Sequence, residues 1–258
     1  MLIESWATFL NPQNIFGDLK QSCVCIITGS SRGFGRALAH ELSYPLVSCL
    51  LKPGSVLLLV GRSEALLQQV KEELQGAGEE QRLVAHCIAA DLSTADGLNQ
   101  TVEVDDLIRS SPPFSHQPIS PCPFLLPASL GDISQCASFT DLDEINSYPS
   151  LDVSSALTLT AGILVVNVSS VFAAEALSNW VLYCTSKAAG KMMFCVLAAE
   201  EPNIRVLSPT DTEMQEDILR LTGIRRCLIP CQESAAKLVA LLLDNDFPSG
   251  THLDFFTA

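Results

Sequence analysis

Short, wholly apolar runs alternate with longer stretches of mixed polarity from about residue 24 onward. Residues 24–27 (Val-Cys-Ile-Ile), 55–60, 82–89, 162–168, 204–207 and 252–256 read as strands. Their apolar positions are mostly consecutive rather than alternating, the pattern of strands covered on both faces. Between them, residues 36–42, 65–74, 94–108, 141–161, 180–199 and 231–243 repeat apolar positions at helical spacing. Strands alternating with helices predict an α/β fold, a Rossmann-type doubly wound parallel sheet in a single domain. Residues 1–20 show neither pattern and read as an N-terminal extension ahead of a domain at 21–258.

One interval breaks the rhythm. Pro112, Pro113, Pro118, Pro121, Pro123 and Pro127 crowd the place where a fourth parallel strand is due, leaving Phe124-Leu125-Leu126 as its remnant. Proline has no N–H for the ladder and is poorly tolerated in a central strand, so a damaged fourth strand is expected. Pro149 likewise interrupts the start of the helix that follows.

Composition narrows the function. The chain has 258 residues, 48% of them apolar, enough for a large core and too many for a disordered chain. A net charge of -14 argues against nucleic acid and against an anionic membrane surface, which need clustered Lys and Arg. A small anionic cofactor needs only a local positive patch. The ten cysteines are scattered: Cys23 and Cys25 sit in the first strand, and Cys49, Cys87, Cys184 and Cys195 in apolar contexts. No Cys-x-x-Cys occurs, and the four histidines form no ligand spacing with them, so no metal site is expected. Reduced cysteines used as small hydrophobes point to the cytoplasm. No apolar run reads as a bilayer span, and the first residues lack the basic start of a secretory signal.

Three stretches carry chemistry. Tyr183-Cys184-Thr185-Ser186-Lys187 sets a phenol and an ammonium at i and i+4, on one helix face. A fixed positive charge favours the phenolate and makes Tyr a usable proton donor to a carbonyl. Thr28-Gly29-Ser30-Ser31-Arg32-Gly33-Phe34-Gly35 lies between strand and helix, where glycines let backbone approach a pyrophosphate at a helix N-terminus. Arg62, at the tip of the second strand where no acid stands, suits a ribose 2′-phosphate, and Arg32 adds a second charge. The same arginine would also serve as a solvated helix-start residue. Asp91-Leu92, after the third strand, either flanks an adenine or caps the next helix.

Thr-Gly-x-x-x-Gly-x-Gly, then Asn167-Val168-Ser169-Ser170, then Tyr-x-x-x-Lys, in this order and scale, resembles the short-chain dehydrogenase/reductase family. The likeness is greatest to those members that reduce ketones on a pterin side chain. The resemblance implies NADP(H), held by Gly29, Ser31, Arg32, Gly33, Phe34, Gly35, Arg62, Asp91, Leu92 and Lys187. It implies Ser170, Tyr183 and Lys187 as the catalytic group, with Ser170, thirteen positions before Tyr183, on the developing oxyanion. Asp254 would anchor the amino-pyrimidine end of the substrate, with Ser170 and Tyr183 at its carbonyl. A homodimer built through the helices flanking the fifth strand is also implied.

The chain departs from the family at three places beside the cofactor. An Asn-Asn-Ala-Gly turn is replaced by Leu125-Leu126-Pro127-Ala128-Ser129, a helix Asn by Asp152, and a Pro-Gly turn by Ser208-Pro209-Thr210-Asp211-Thr212. The helix before the fifth strand is shortened by about three turns relative to the family. Two functions follow: an NADPH-dependent carbonyl reductase of pterin ketones, or a reductase-like fold impaired in turnover that acts, if at all, by binding.

Overall fold

Val24–Thr28 (β1) is buried at every position, and its alternate side chains enter two different cores. Cys25 and Ile27 join one cluster, Val24 and Ile26 the other. The computed structural model describes residues 22–43, 51, 54–76, 84–111, 121–125, 141–159, 164–201, 205–210, 230–244 and 247–254. In chain order β1 is followed by Gly33–Ser43 (α1), Val56–Gly61 (β2), Glu64–Gly76 (α2), Val84–Ala89 (β3), Ala95–Ser110 (α3) and Pro121–Leu125 (β4). Next come Leu142–Pro149 (α4), a π-helical turn at Ser150–Ser154, Ser155–Leu159 (α5), Leu164–Asn167 (β5) and a 3-10 turn at Val171–Ala173. Val181–Glu200 (α6), Arg205–Thr210 (β6), Cys231–Asp244 (α7) and Thr251–Asp254 (β7) complete the described elements.

All strand pairings are parallel, in the order β3-β2-β1-β4-β5-β6-β7. One face is covered by α1, α2 and α7, through Leu38, Leu67, Leu238 and Leu242 against Leu57 and Leu59. The other is covered by α3, α5 and α6, through Leu98, Leu159 and Phe194 against Leu58 and Val60. The doubly wound architecture expected from the alternating runs is therefore the observed one. Strand order reverses between β1 and β4, and such sheets bind ligands beyond the carboxyl ends of the strands at that point.

The proline-rich interval forms a strand, starting at Pro121 rather than Phe124. Residues 121–124 pair with β1; among the described residues, pairing with β5 is at Phe124 and Leu125. Both prolines thus pair with β1 and, among the described residues, not with β5; Leu126 and the turn after it lie outside the described residues. Pro149 does interrupt the helical pattern of 141–161. It ends α4 and the chain continues through the π turn, in which the Ser155 N–H reaches back to the Ser150 carbonyl. A proline that removes an N–H and crowds the preceding turn favours this wider winding. The α5 segment is only five residues long.

Two other expectations need correction. Cys195 is exposed, not apolar interior, and Cys87 and Cys184 are only half-buried; Cys23, Cys25, Cys87, Cys184, Cys195 and Cys231 are free thiols. Val181–Glu200 does have the length and hydropathy to cross a bilayer. It nonetheless carries a buried Lys187 and seats Phe194 in the core, which accounts for its apolar character within this fold. Cys49 and the N-terminal extension lie outside the described residues.

Candidate active site

The turn after β1 has the geometry that phosphate approach requires. Gly29 (φ 68) and Gly33 (φ 63) lie in the left-handed region, which a side chain disfavours. Ser30 N–H donates to the Val60 carbonyl (3.2 Å), tying the turn to the end of β2. The Ser31 hydroxyl lies beside Gly61, whose absent Cβ would meet it at 3.4 Å. Phe34 and Gly35 are buried at the start of α1, and no acid occupies its first turn. Arg32 and Arg62 are both exposed. This cradle of positive-φ glycines, an acid-free helix start and two exposed arginines fits a nicotinamide dinucleotide.

Asp91 does not cap α3. That role belongs to Thr94, whose hydroxyl accepts from Gly97 N–H (3.1 Å). Asp91 closes the turn before it, accepting from the backbone N–H (3.0 Å) and hydroxyl (2.7 Å) of Ser93. Burial raises the Asp91 carboxyl, but the Ser93 hydrogen bonds and the charge of Arg62 outweigh it and hold the group below its ordinary range. Leu92 beside it is buried. Gly97 is a residue the sequence reading missed: a Cβ there would lie 2.2 Å from the Asp91 carbonyl oxygen. The signal was a glycine in a helix with no other reason to carry one.

Tyr183 and Lys187 emerge on one face of α6, as their spacing predicts. Both are buried, at 6% and 5% exposure, and the Lys187 ammonium sits 5.9 Å from the Tyr183 ring centroid. The facing backbone is the end of β5: Lys187 Nζ donates to the Val168 carbonyl at 3.4 Å. Ser169 and Ser170 follow, both buried. Ser170 Oγ accepts from Phe172 N–H (3.2 Å) and so opens the 3-10 turn. That turn presents Phe172 to Tyr183, with ring centroids 6.5 Å apart. Trp180, fully buried at the N-cap of α6, completes the box at 5.7 Å, edge-on to Tyr183. The Ser169 hydroxyl is buried and has no hydrogen-bond partner among the described residues.

Asp152 enters the same site from the π turn. Its Oδ1 lies 3.2 Å from Lys187 Nζ, and Ser186 Oγ donates to Oδ2. Burial pushes the Asp152 carboxyl up, while Lys187 acts in the opposite sense. Ser186 was not singled out in the sequence, since a serine on a helix carries no signal until the partner element is known.

A cavity of about 460 Å³ lies nearby, lined by Leu177, Asn179, Val181, Cys184 and Thr185 among others. Val181 and Thr185 lie on the helix face away from Tyr183 and Lys187, while Cys184 lies at its flank and, with Leu177, packs against the aromatic cluster that holds Tyr183. Asp254 ends β7, in register with Thr210 of β6; its side chain lies outside the described residues.

Comparison with known proteins gives the family. The chain is 39% identical over 265 residues to sepiapterin reductase of Mus musculus, covering 90% of this chain and 96% of the relative. It is 38% identical over 264 residues to sepiapterin reductase of Xenopus laevis, covering 91% and 96%. No protein-family model matches. Among solved structures, the L-sorbose reductase of Gluconobacter frateurii, complexed with NADPH and L-sorbose, superposes with a TM-score of 0.69. It is 21% identical and the match covers 91% of this chain and 95% of that one, which speaks to the fold. The chain belongs to the sepiapterin reductase family of short-chain dehydrogenases/reductases and is an oxidoreductase acting on a small molecule.

Proposed function

We propose that the chain is an NADPH-dependent carbonyl reductase acting on ketones of a pterin side chain, with Ser170, Tyr183 and Lys187 as its catalytic residues. The observation that carries the reading is the buried Tyr183–Lys187 face of α6, set against the end of β5 in a chain this similar to sepiapterin reductase. NADPH, when bound, supplies the hydride. Tyr183 Oη hands its proton to the carbonyl oxygen as negative charge develops there. Lys187 keeps a cation close to that phenol and holds the nicotinamide ribose. Ser170 Oγ donates to the developing oxyanion, for which its hydroxyl proton is available because Oγ is the acceptor from Phe172 N–H. Around the cofactor, Gly29, Ser31, Gly33, Phe34 and Gly35 would take the pyrophosphate, Arg32 and Arg62 the 2′-phosphate, and Asp91 with Leu92 the adenine. Asp254 would hold the amino-pyrimidine end of the pterin.

The same reading makes residues 21–258 one catalytic domain of a cytoplasmic enzyme, preceded by a short extension. It also makes the enzyme a homodimer, supported by apolar side chains left exposed on the helices flanking β5: Leu157 on α5, and Met192 and Val196 on α6. Sedimentation at micromolar concentration tests this, and a monomer there refutes it.

The function is tested by NADPH oxidation with sepiapterin, beside Tyr183→Phe. Loss of a proton donor of this kind costs about 10²–10⁴-fold; equal rates remove Tyr183 from catalysis. A second reading, a reductase-like fold without turnover, is favoured by one observation, the carboxylate of Asp152 engaging Lys187. A rise in melting temperature on adding NADPH, with no oxidation of it by sepiapterin, is the result that selects this alternative.

A further inference from the structure

Lys187 stands between a carboxylate and a phenol. The Asp152 carboxylate lies 3.2 Å from its ammonium, while the Tyr183 ring centroid is 5.9 Å away. The carboxylate is itself built in: it is buried, it comes from the π turn after Pro149, and Ser186 Oγ donates to its other oxygen. Such an arrangement costs desolvation of two charges and is not needed to fold α6 onto the sheet, since an apolar contact serves as well or better. Its consequence is electrostatic. A lysine beside an ionised carboxylate presents a nearly neutral pair to the phenol, and a neutral pair favours phenolate far less than a lone cation does.

We propose that Asp152 is a positioning residue that restrains the acidity of Tyr183 by taking up the charge of Lys187, so that proton transfer is slowed whenever Asp152 is ionised and released when it is protonated. The kinetic part rests on the reductase reading; the effect on the phenol does not. The elements packed against the π turn are α4, α5 and α6. No ionisable side chain lies on α5; α4 brings Tyr148, the exposed Asp143 and Glu144, whose side chain lies outside the described residues, and the part of α6 near the π turn brings Tyr183, Cys184, Lys187 and Lys191. Among the described residues, Lys187 is the ionisable group hydrogen-bonded to Asp152. Burial pushes the Asp152 carboxyl above the ordinary carboxylate range, with Lys187 opposing. The pair therefore passes from net positive to neutral at a higher pH than a surface aspartate would set. Below that pH the natural protein behaves as though residue 152 were uncharged; above it, Tyr183 becomes the weaker acid.

The test is Asp152→Asn, which removes the charge while an amide can still accept from Lys187 and donate to Ser186. In the protein without cofactor, Tyr183 ionisation is read from tyrosinate absorbance as the difference from matched Tyr183→Phe proteins. The Asn variant is expected to ionise Tyr183 about one pH unit lower. In NADP⁺-dependent oxidation of the alcohol formed from sepiapterin, which needs the phenolate, the ratio of variant to natural kcat should rise with pH. It should climb from near one at acid pH to about tenfold, with no matching change in KM. Coincident tyrosinate curves, or a higher midpoint in the variant, overturn the proposal even if the enzyme is active. A downward shift in a protein that never turns over upholds it and refutes the reductase reading instead. Circular dichroism checks the fold, and Asp152→Ser makes the same charge change should the Asn protein fail that check.

Discussion

Gly97→Ala tests how the adenine-side turn is held. A Cβ at this position would stand 2.2 Å from the Asp91 carbonyl oxygen, 2.7 Å from its carbon and 2.8 Å from its nitrogen, where ordinary contact begins near 3.4 Å. Every obstacle is backbone, so no side-chain rotation relieves the overlap, and α3 must retreat by more than an ångström. That carbonyl accepts from Thr94 N–H (3.1 Å) and Thr94 Oγ1 (2.8 Å), which move with the helix. Losing both costs about 2 kcal/mol at roughly 1 kcal/mol each. Overpacking adds about 1–3 kcal/mol. Alanine returns at most about 1 kcal/mol through its better helix propensity. The net expectation is a loss of about 2–4 kcal/mol, read by thermal denaturation as a fall of roughly 5–15 °C in Tm. NADPH affinity should fall as well, because Asp91 and Leu92 shift with their turn. An unchanged or higher Tm would mean that propensity outweighs the clash, and the account of this turn would be wrong.

Trp180→Ala removes a side chain 1% exposed and leaves Tyr183 without its edge-on neighbour. A loss of about 3–5 kcal/mol in denaturant unfolding is expected, against a much smaller one for Trp180→Phe. Arg62→Ala should weaken NADPH while leaving NADH nearly unchanged; equal effects on both cofactors would remove Arg62 from the 2′-phosphate. Glu73 is held below its ordinary range first by the hydrogen bond from Arg36 (2.6 Å), then by Gln69 and His40. A depressed carboxylate contributes stability above its unfolded pKa and loses it as pH falls through the folded one. Glu73→Gln should therefore lower Tm slightly near neutrality and converge with the natural protein in acid, and a gap that widens in acid contradicts the sign.

The sequence carried the fold where local and tertiary demands coincide. Runs such as Val56–Val60 are apolar at consecutive positions because both faces of the sheet are covered, and that is legible without coordinates. It set the remnant of the fourth strand at 124–126 rather than 121–125 because a proline rule describes a strand hydrogen-bonded on both sides. Among the described residues the prolines pair with β1 and not with β5, a fact of register rather than of composition. It left Asp91 undecided for a similar reason: the residue that caps α3 depends on where the helix starts, and one turn decided in favour of Thr94.

What the chain alone determined is therefore the alternation of buried strands and amphipathic helices, and the pairing of Tyr183 with Lys187 on one helix face. Both follow from periodicities that a polypeptide cannot escape. Only the tertiary structure decided which charge stands opposite that lysine. Asp152 lies 35 residues before it, on another element. The π turn after Pro149 and the crossing of that element with α6 bring carboxylate and ammonium together, away from water. Electrostatics acts through distance and burial, and neither is written in a sequence until the sheet has set the helices side by side.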